Sequence, residues 1–272
     1  MPQVPPSSPG SAAAAGPSTP APSSPAGTAP ACPATGAEPS VAIPAGLGAP
    51  GWWRGRVFYE LFVRSFADSD GDGTGDLRGA TARLDYLNDG DPATTDDLGV
   101  TGIWLMPVAE SPSYHGYDST DLTAVEPDYG SLADMKAFVA AAHERGIAVI
   151  TDLVLNHTSN RHPWFRASDA GTARQDWYVW SDTNPGYGGP DGQLVWHASG
   201  GRWYYGLFGS ELPDLNVANP AVAAELAEVA RFWLRDVGID GFRLDAIKHL
   251  VEDGRKQVHT EATHRWLREF RD

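Results

Sequence analysis

Gly241-Phe-Arg-Leu-Asp-Ala-Ile-Lys-His249 and, upstream of it, Ala148-Val-Ile-Thr-Asp-Leu-Val-Leu-Asn-His157 decide the fold. Each is a short, largely apolar strand whose polar residues gather towards its C-terminal end, as in a parallel sheet covered on both faces. Helical text leads into the later one. Asn219 and Pro220 supply an N-cap and a first-turn residue, Val222, Leu226, Val229 and Trp233 share one face, and Gly238 ends the run. Upstream of Ala148 the same order repeats. Ser131 and Asp134 open a helix whose inner face is Met135, Phe138, Val139 and Ala142, and Gly146 closes it. Before that come an apolar strand from Gly102 to Pro107, helical text from Asp76 to Leu87, and a β-branched and aromatic strand from Val57 to Phe66. A last helix is expected from about His259 to Asp272. Strict alternation predicts an α/β fold with a parallel sheet and helical crossovers. No Gly-rich phosphate loop follows the first strand, which argues against a doubly wound sheet. The expectation is a (β/α)8 TIM barrel with only its first four β/α units in the chain.

One connection breaks the rhythm. About sixty residues, from His157 to Asn216, separate the third strand from the third helix, and a connection of that length is usually functional. It carries Trp164, Phe165, Trp177, Tyr178, Trp180, Tyr187, Trp196, Trp203, Tyr204, Tyr205 and Phe208. Flat rings suit sugar faces, yet most of these are expected to form the insertion's own core.

Residues 1–50 read differently. Pro, Ala, Ser and Gly dominate and Glu38 is the only charged side chain, so a disordered linker is expected ahead of a catalytic domain over 51–272. The stretch has no basic region followed by an apolar one, so it is not a legible signal peptide. The only cysteine, Cys32, lacks the apolar segment that a lipid-attachment site needs upstream, and it is read as a plain linker cysteine. Tethers of this composition suggest an extracellular or cell-surface enzyme, with the cytoplasm left open. The net charge of -15 in 272 residues argues against nucleic acid, whose phosphates need clustered Lys and Arg. No apolar run is long enough to span a bilayer.

Chemistry is expected at strand ends, where a barrel keeps it. Asn156 and His157 end the third strand. Arg243 and Asp245 end the fourth and, two apart, point to the same side. A guanidinium beside a carboxylate keeps it ionised, as a nucleophile requires; a structural ion pair is the competing reading. Near the first strand, Asp68-Ser-Asp-Gly-Asp-Gly-Thr-Gly-Asp76 sets carboxylates around a Gly turn. Asp68, Asp70, Asp72 and Asp76 with the Thr74 carbonyl form an oxygen set suited to Ca²⁺ or Mg²⁺. An EF-hand is not expected, because the twelfth position is Gly79 and the loop follows a strand. A solvated acidic turn is the alternative.

From about Trp52 to Asp272 the sequence resembles the α-amylase family of glycoside hydrolases. Asp152 to His157 and Gly241 to His249 are similar to two of its signatures. Gly99 to Pro107 is similar to its second-strand motif, Tyr114-His-Gly-Tyr-Asp118 to the loop after it, and Leu212-Pro-Asp-Leu-Asn216 to the motif closing domain B. The resemblance implies a retaining hydrolase acting on an α-glucan or malto-oligosaccharide, with Asp245 as nucleophile and Arg243 holding it ionised and in place. It implies that His115, Tyr117 and His157 line the sugar site at the scissile bond, and Lys248 the site beyond. Asp118 either touches the same sugar or shapes the loop, and Asp152 is implied as a hydrogen-bond partner behind the site. It also implies that Asn156, Asp214 and the His249 carbonyl hold Ca²⁺ between domain B and the barrel, and that the Asp68–Asp76 loop is a metal site as in oligo-1,6-glucosidase-like members.

The family's general acid is a glutamate on a fifth strand. The chain is expected to stop before it, with Glu252, Glu261 and Glu269 too early to replace it and the 272 residues inactive alone. Three readings stay open: an endo-acting α-amylase, an exo-acting oligo-1,6-glucosidase or α-glucosidase, and a non-catalytic barrel relative.

Overall fold

Four parallel strands, β1 (Phe58–Leu61), β2 (Gly102–Leu105), β3 (Ala148–Leu153) and β4 (Gly241–Leu244), lie side by side in chain order in a computed structural model that describes residues 51–271. The expected linker over 1–50, with Glu38 and Cys32, and the terminal Asp272 lie outside the described residues. Between and after the strands run α1 (Leu77–Ala82), α2 (Leu132–Glu144), α3 (Pro220–Arg231) and α4 (Glu261–Arg271). These are the first four β/α units of a (β/α)8 barrel. Ile103 pairs with Val149 and Asp152 with Arg243, so the polar ends of β3 and β4 come level.

Side-chain alternation sorts the two faces of the sheet. Ile103, Leu105 and Val149 are buried in one cluster with Met135, Phe138, Leu226 and Val229 of the helices, whereas Trp104 stays half-buried. Local signals fix the helices. Ser131 and Asp134 complete a reciprocal capping box on α2, and Gly146 beyond its end takes φ +70°, a conformation that costs glycine little. Past α3 the chain widens into a π-helical turn over Phe232–Val237, and Gly238 stops it at φ +90°. At the opposite end of the strands Asp240 takes the His143 ring at 2.8 Å and the Val149 N–H at 2.7 Å, pinning α2 to the sheet.

Several boundaries differ from the expected ones. The first strand stops at Leu61 and Val63–Phe66 forms a helical turn. Met106 N bonds the Leu61 carbonyl as the last rung, and beyond it Ser65 N turns back to the Phe62 carbonyl, which starts the turn. The helical text from Asp76 to Leu87 breaks at Arg83 into α1 and a turn over Leu84–Leu87. The last helix starts at Glu261, after the Thr260 hydroxyl has capped Thr263 N at 3.0 Å.

The insertion after β3 holds a short helix, Pro163–Asp169, and a three-stranded antiparallel sheet of Trp180–Ser181, Trp196–Ser199 and Arg202–Tyr205. Phe165 packs among Tyr178, Trp180 and Tyr204 with ring centres 5.0 to 5.7 Å apart. The insertion closes on the strand it left, through bridges from His157 to Asp214 and from Tyr178 to Leu215. Among the described residues no helix is long and apolar enough to cross a membrane.

Candidate active site

Level strand ends place two carboxylates on one guanidinium. Arg243 Nη1 donates to Asp152 Oδ1 at 2.7 Å and to Asp245 Oδ1 at 2.5 Å. Asp152 Oδ2 also accepts from Trp104 Nε1 at 3.1 Å and from the Tyr117 hydroxyl at 3.3 Å. Burial pushes the Asp152 carboxyl up, and Arg243 offsets only part of that. For Arg243 burial pulls down, but its bonds to Asp152 and Asp245 outweigh this and keep the guanidinium charged. Burial, with the Asp152 charge behind it, keeps the Tyr117 phenol protonated. Asp245 stands at the rim of this group with its side chain 19% exposed. The next residue, Ala246, sits at φ +51°. A non-glycine residue in that region costs about 1 kcal/mol or more, and such strain gathers at working sites.

His157 is buried at the end of the segment following β3. Its Nδ1 lies 3.1 Å from the Asn156 amide oxygen, which can only accept, so the proton is assigned to Nδ1 and Nε2 is left without a partner. Burial lowers its pKa to about 4 in spite of the Asp245 charge. The ring is therefore neutral at pH 7, with one nitrogen free to meet a ligand hydroxyl. His115 Nδ1 accepts from Tyr117 N at 3.1 Å, and its ring centre lies 6.0 Å from that of Tyr117. The Asp118 carboxylate is engaged inside its own loop, by the Ser111 hydroxyl at 2.8 Å and by the Ser113 hydroxyl. Lys248 is exposed on the short turn Ile247–His249 and its carbonyl accepts from His259 N. Phe208 was read only as one more aromatic of the insertion. It is 49% exposed, with its ring 5.2 Å from His157 and 5.7 Å from His249. No pattern in the sequence separates it from its buried neighbours.

Two places fit a cation. In the Asp68–Asp76 loop, carboxylate oxygens of Asp68, Asp70 and Asp76 all lie within 4.8 Å of one another. Asp72 is not in that trio; its carboxylate accepts from Thr74 N at 2.6 Å. Backbone N–H groups of Gly71 and Gly73 pull the Asp68 pKa down. For Asp76, burial pushes the other way but is outweighed by the N–H groups of Gly79 and Ser69. The second place joins the insertion to the barrel. Asn156 Nδ2 donates at 3.1 Å both to Asp214 Oδ2 and to the His249 carbonyl. A half-turn of that amide would set three oxygens face to face, an arrangement that a hard cation satisfies, and would aim its N–H at His157 Nδ1, moving the ring proton to Nε2. Asp214 is 1% exposed, and burial together with the Glu252 charge drives its carboxyl well above the usual range. Glu252 is half-buried, is pushed up to about 7 by burial, and has a buried oxygen without a partner. Its charge is felt by Asp214, Tyr205 and Tyr187, on the insertion side. A raised carboxyl is the mark of a general acid, but among the described residues no hydrogen bond links Glu252 to Asp245 or Arg243. Glu261 and Glu269 lie on α4.

The α-amylase catalytic-domain family model matches residues 60–270. Alpha-amylase 3 of Dictyoglomus thermophilum is 44% identical over 80% of this chain and 40% of its own length. The trehalose synthase/amylase TreS of Mycobacterium tuberculosis is 43% identical over 85% of this chain and 39% of its own. Among solved structures, the α-amylase from H. orenii superposes with a TM-score of 0.73 at 50% identity, covering 79% of this chain and 44% of that one. The trehalose-6-phosphate hydrolase of Bacillus licheniformis gives 0.73 at 34% identity, over 80% and 42%. The chain thus spans about two fifths of the length of the curated relatives it matches.

Proposed function

The chain belongs to the α-amylase family of glycoside hydrolases, and from that premise we propose that the full-length protein hydrolyses internal α-glucosidic bonds of starch or maltodextrin with retention. The single observation that carries the reading is Arg243 bonded to Asp245 at the end of β4. Asp245 would attack the anomeric carbon and form the glycosyl-enzyme ester, with Arg243 holding its carboxylate in line. His157 Nε2, unpartnered and neutral, would take a sugar hydroxyl, as would His115 and Tyr117 beside it, and Lys248 would reach the next sugar. Asp118, bound to Ser111 and Ser113, would shape the loop that presents His115 and Tyr117. Retention needs a second carboxyl group about 5 to 5.5 Å from the first. Among the described residues none of Glu252, Glu261 and Glu269 shares a hydrogen bond with Asp245 or its partners, so the proton donor is assigned to the rest of the protein.

Calcium fits the reading. Asn156, Asp214 and the His249 carbonyl would hold one ion, and Asp68, Asp70 and Asp76, with Asp72 and the Thr74 carbonyl in reach, another. The ion supplies positive charge that ties the insertion to the barrel. The endo-acting reading is favoured by the 50% identity to an α-amylase structure. The exo-acting alternative, an oligo-1,6-glucosidase or α-glucosidase, is favoured by the Asp68–Asp76 loop and by relatives that include a probable α-glucosidase. Products of the full-length protein on soluble starch and on short malto- and isomalto-oligosaccharides separate the two, with the anomer followed by NMR. Internal cuts and α-configured products are expected, and Asp245→Asn should lose on the order of a thousandfold or more in kcat. First-formed β-products, or an active Asp245→Asn, would sink the proposal.

A further inference from the structure

The indole of Trp104 touches both partners of the Arg243 bridge. Its neighbours on β2, Ile103 and Leu105, are fully buried in the helix-facing core, and alternation turns Trp104 to the other face, level with Ile150 of β3. From there Nε1 donates to Asp152 Oδ2 at 3.1 Å, and the ring lies under Arg243, whose Cζ is 5.1 Å from the ring centre. Two other indoles spend their N–H on neutral acceptors, Trp180 on the Ser168 hydroxyl and Trp233 on the Leu122 carbonyl, and buried Trp196 Nε1 has no partner. Among the described residues Trp104 alone gives its N–H to a carboxylate.

We propose that Trp104 is a positioning residue for the reaction, fixing Asp152 through its N–H and seating Arg243 on its ring, and so setting where Asp245 stands. The proposal rests on the reading of Asp245 as nucleophile. The geometry explains why such a part is needed. One nitrogen of Arg243 serves both carboxylates, so the guanidinium is held near Asp245 only as firmly as its other contacts hold it. Those contacts are Asp152 and the indole face, a cation over a π system. Asp152 in turn is fully buried in its side chain, and a buried carboxylate stays charged and oriented only while its donors are in place. Without the indole N–H it keeps Arg243 and the longer, 3.3 Å bond from Tyr117. A shift of about 1 Å in a reacting group costs far more rate than binding. The signature of the role is therefore a loss in kcat with KM spared.

The test is a double-mutant cycle in the full-length protein on one malto-oligosaccharide: Trp104→Phe, Asp152→Asn and the pair, with Asp245→Asn as blank. Trp104→Phe should lower kcat about tenfold with KM within about twofold, and melting should show that the variant is folded. If Trp104 acts through Asp152, the pair is no slower than Asp152→Asn alone, which a general packing defect would not produce. Should Trp104→Phe not accumulate, Trp104→His, with a smaller ring that retains an N–H, is run through the same cycle. Unchanged kcat, a rise in KM alone, or additive losses in the cycle would overturn the proposal while leaving Asp245 in its role. An active Asp245→Asn would instead remove the nucleophile reading and this proposal with it.

Discussion

Two pairs of acids lie at the same end of the strands and are treated in opposite ways. Asp152 and Asp245 share the Arg243 guanidinium, which bonds both within 2.7 Å. Buried Asp214 lies close enough to half-buried Glu252 to feel its charge, yet among the described residues neither has a Lys or Arg partner. An unpaired buried carboxylate is costly, and here the cost shows as pKa values driven up rather than as a broken fold. The first pair carries its own positive charge on the chain, although burial still pushes Asp152 up. The second has no such charge on the chain, and a cation bound beside it would supply one. In the first the cation's shape matters, because it must orient a nucleophile. In the second the amount of charge matters most.

The largest effect expected from this contrast is at Arg243. Lysine restores the charge but not the planar group that lies over the Trp104 ring, so its ammonium is not held in place between the two carboxylates as the guanidinium is. Arg243→Lys should lower kcat/KM about a hundredfold, close to the worth of one or two charge-assisted hydrogen bonds. Steady-state rates of the full-length protein check this. Activity within a few-fold of wild type would mean that charge alone suffices, and the contrast between the two pairs would collapse.

The first pair was legible in the sequence and the second only in part. Arg243 and Asp245 stand two apart on one strand, so alternation alone puts them together. Asn156, Asp214 and His249 could be grouped by resemblance, since each sits in a recognisable motif. Glu252 could not. It follows His249 in loop text, and neither its burial nor its nearness to Asp214, distant in sequence, leaves a periodic trace. Trp104 was read as part of a strand motif because its role depends on which face of β2 it occupies and on what β3 and β4 bring across. The fold fared better, since caps such as Ser131 and stops such as Gly146 and Gly238 act within a few residues. The end of β1 is not legible because a turn, with Ser65 N bonded to the Phe62 carbonyl, takes over where the text is still apolar and aromatic.

The second pair yields a smaller effect, read in stability. Without metal, Glu252 has its folded pKa raised from 4.5 to about 7, and Asp214 is raised as well. The folded state then binds protons more tightly than the unfolded one. These two groups therefore favour folding at low pH, and that contribution is lost as pH rises from about 4.5 to about 7. Calcium held by Asp214 needs that carboxylate ionised beside the Glu252 charge, so its benefit should grow over the same window. Melting temperatures of the full-length protein, with calcium and with chelator at pH 5 and pH 7, give the readout. The calcium-minus-chelator gap should be several degrees wider at pH 7, and Glu252→Gln should shrink that widening. A gap independent of pH would show that Asp214 does not hold the ion.

The smallest effect separates two aspartates of one loop and asks whether the Asp68–Asp76 turn resembles the first pair or the second. Asp68 accepts from the N–H groups of Asp70, Gly71 and Gly73, so it shapes the turn, and it also stands in the carboxylate trio with Asp70 and Asp76. Asp72 holds only Thr74 N and stands outside the trio. The loop has several backbone donors where the first pair has a guanidinium and Asp214 has the Asn156 amide and the Leu207 N–H, so it is shaped before any ion arrives. Asp72→Ala should then remove one exposed hydrogen bond, about 0.5 kcal/mol, or a degree or two in melting temperature, and leave the response to calcium intact. Asp68→Ala should cost more and should also blunt that response. Calcium titrations followed by melting, with both variants made in the full-length protein, resolve the two. If Asp72→Ala blunts the calcium response as much as Asp68→Ala does, the three-carboxylate description is too narrow and the five-oxygen set expected from the sequence is the one that binds.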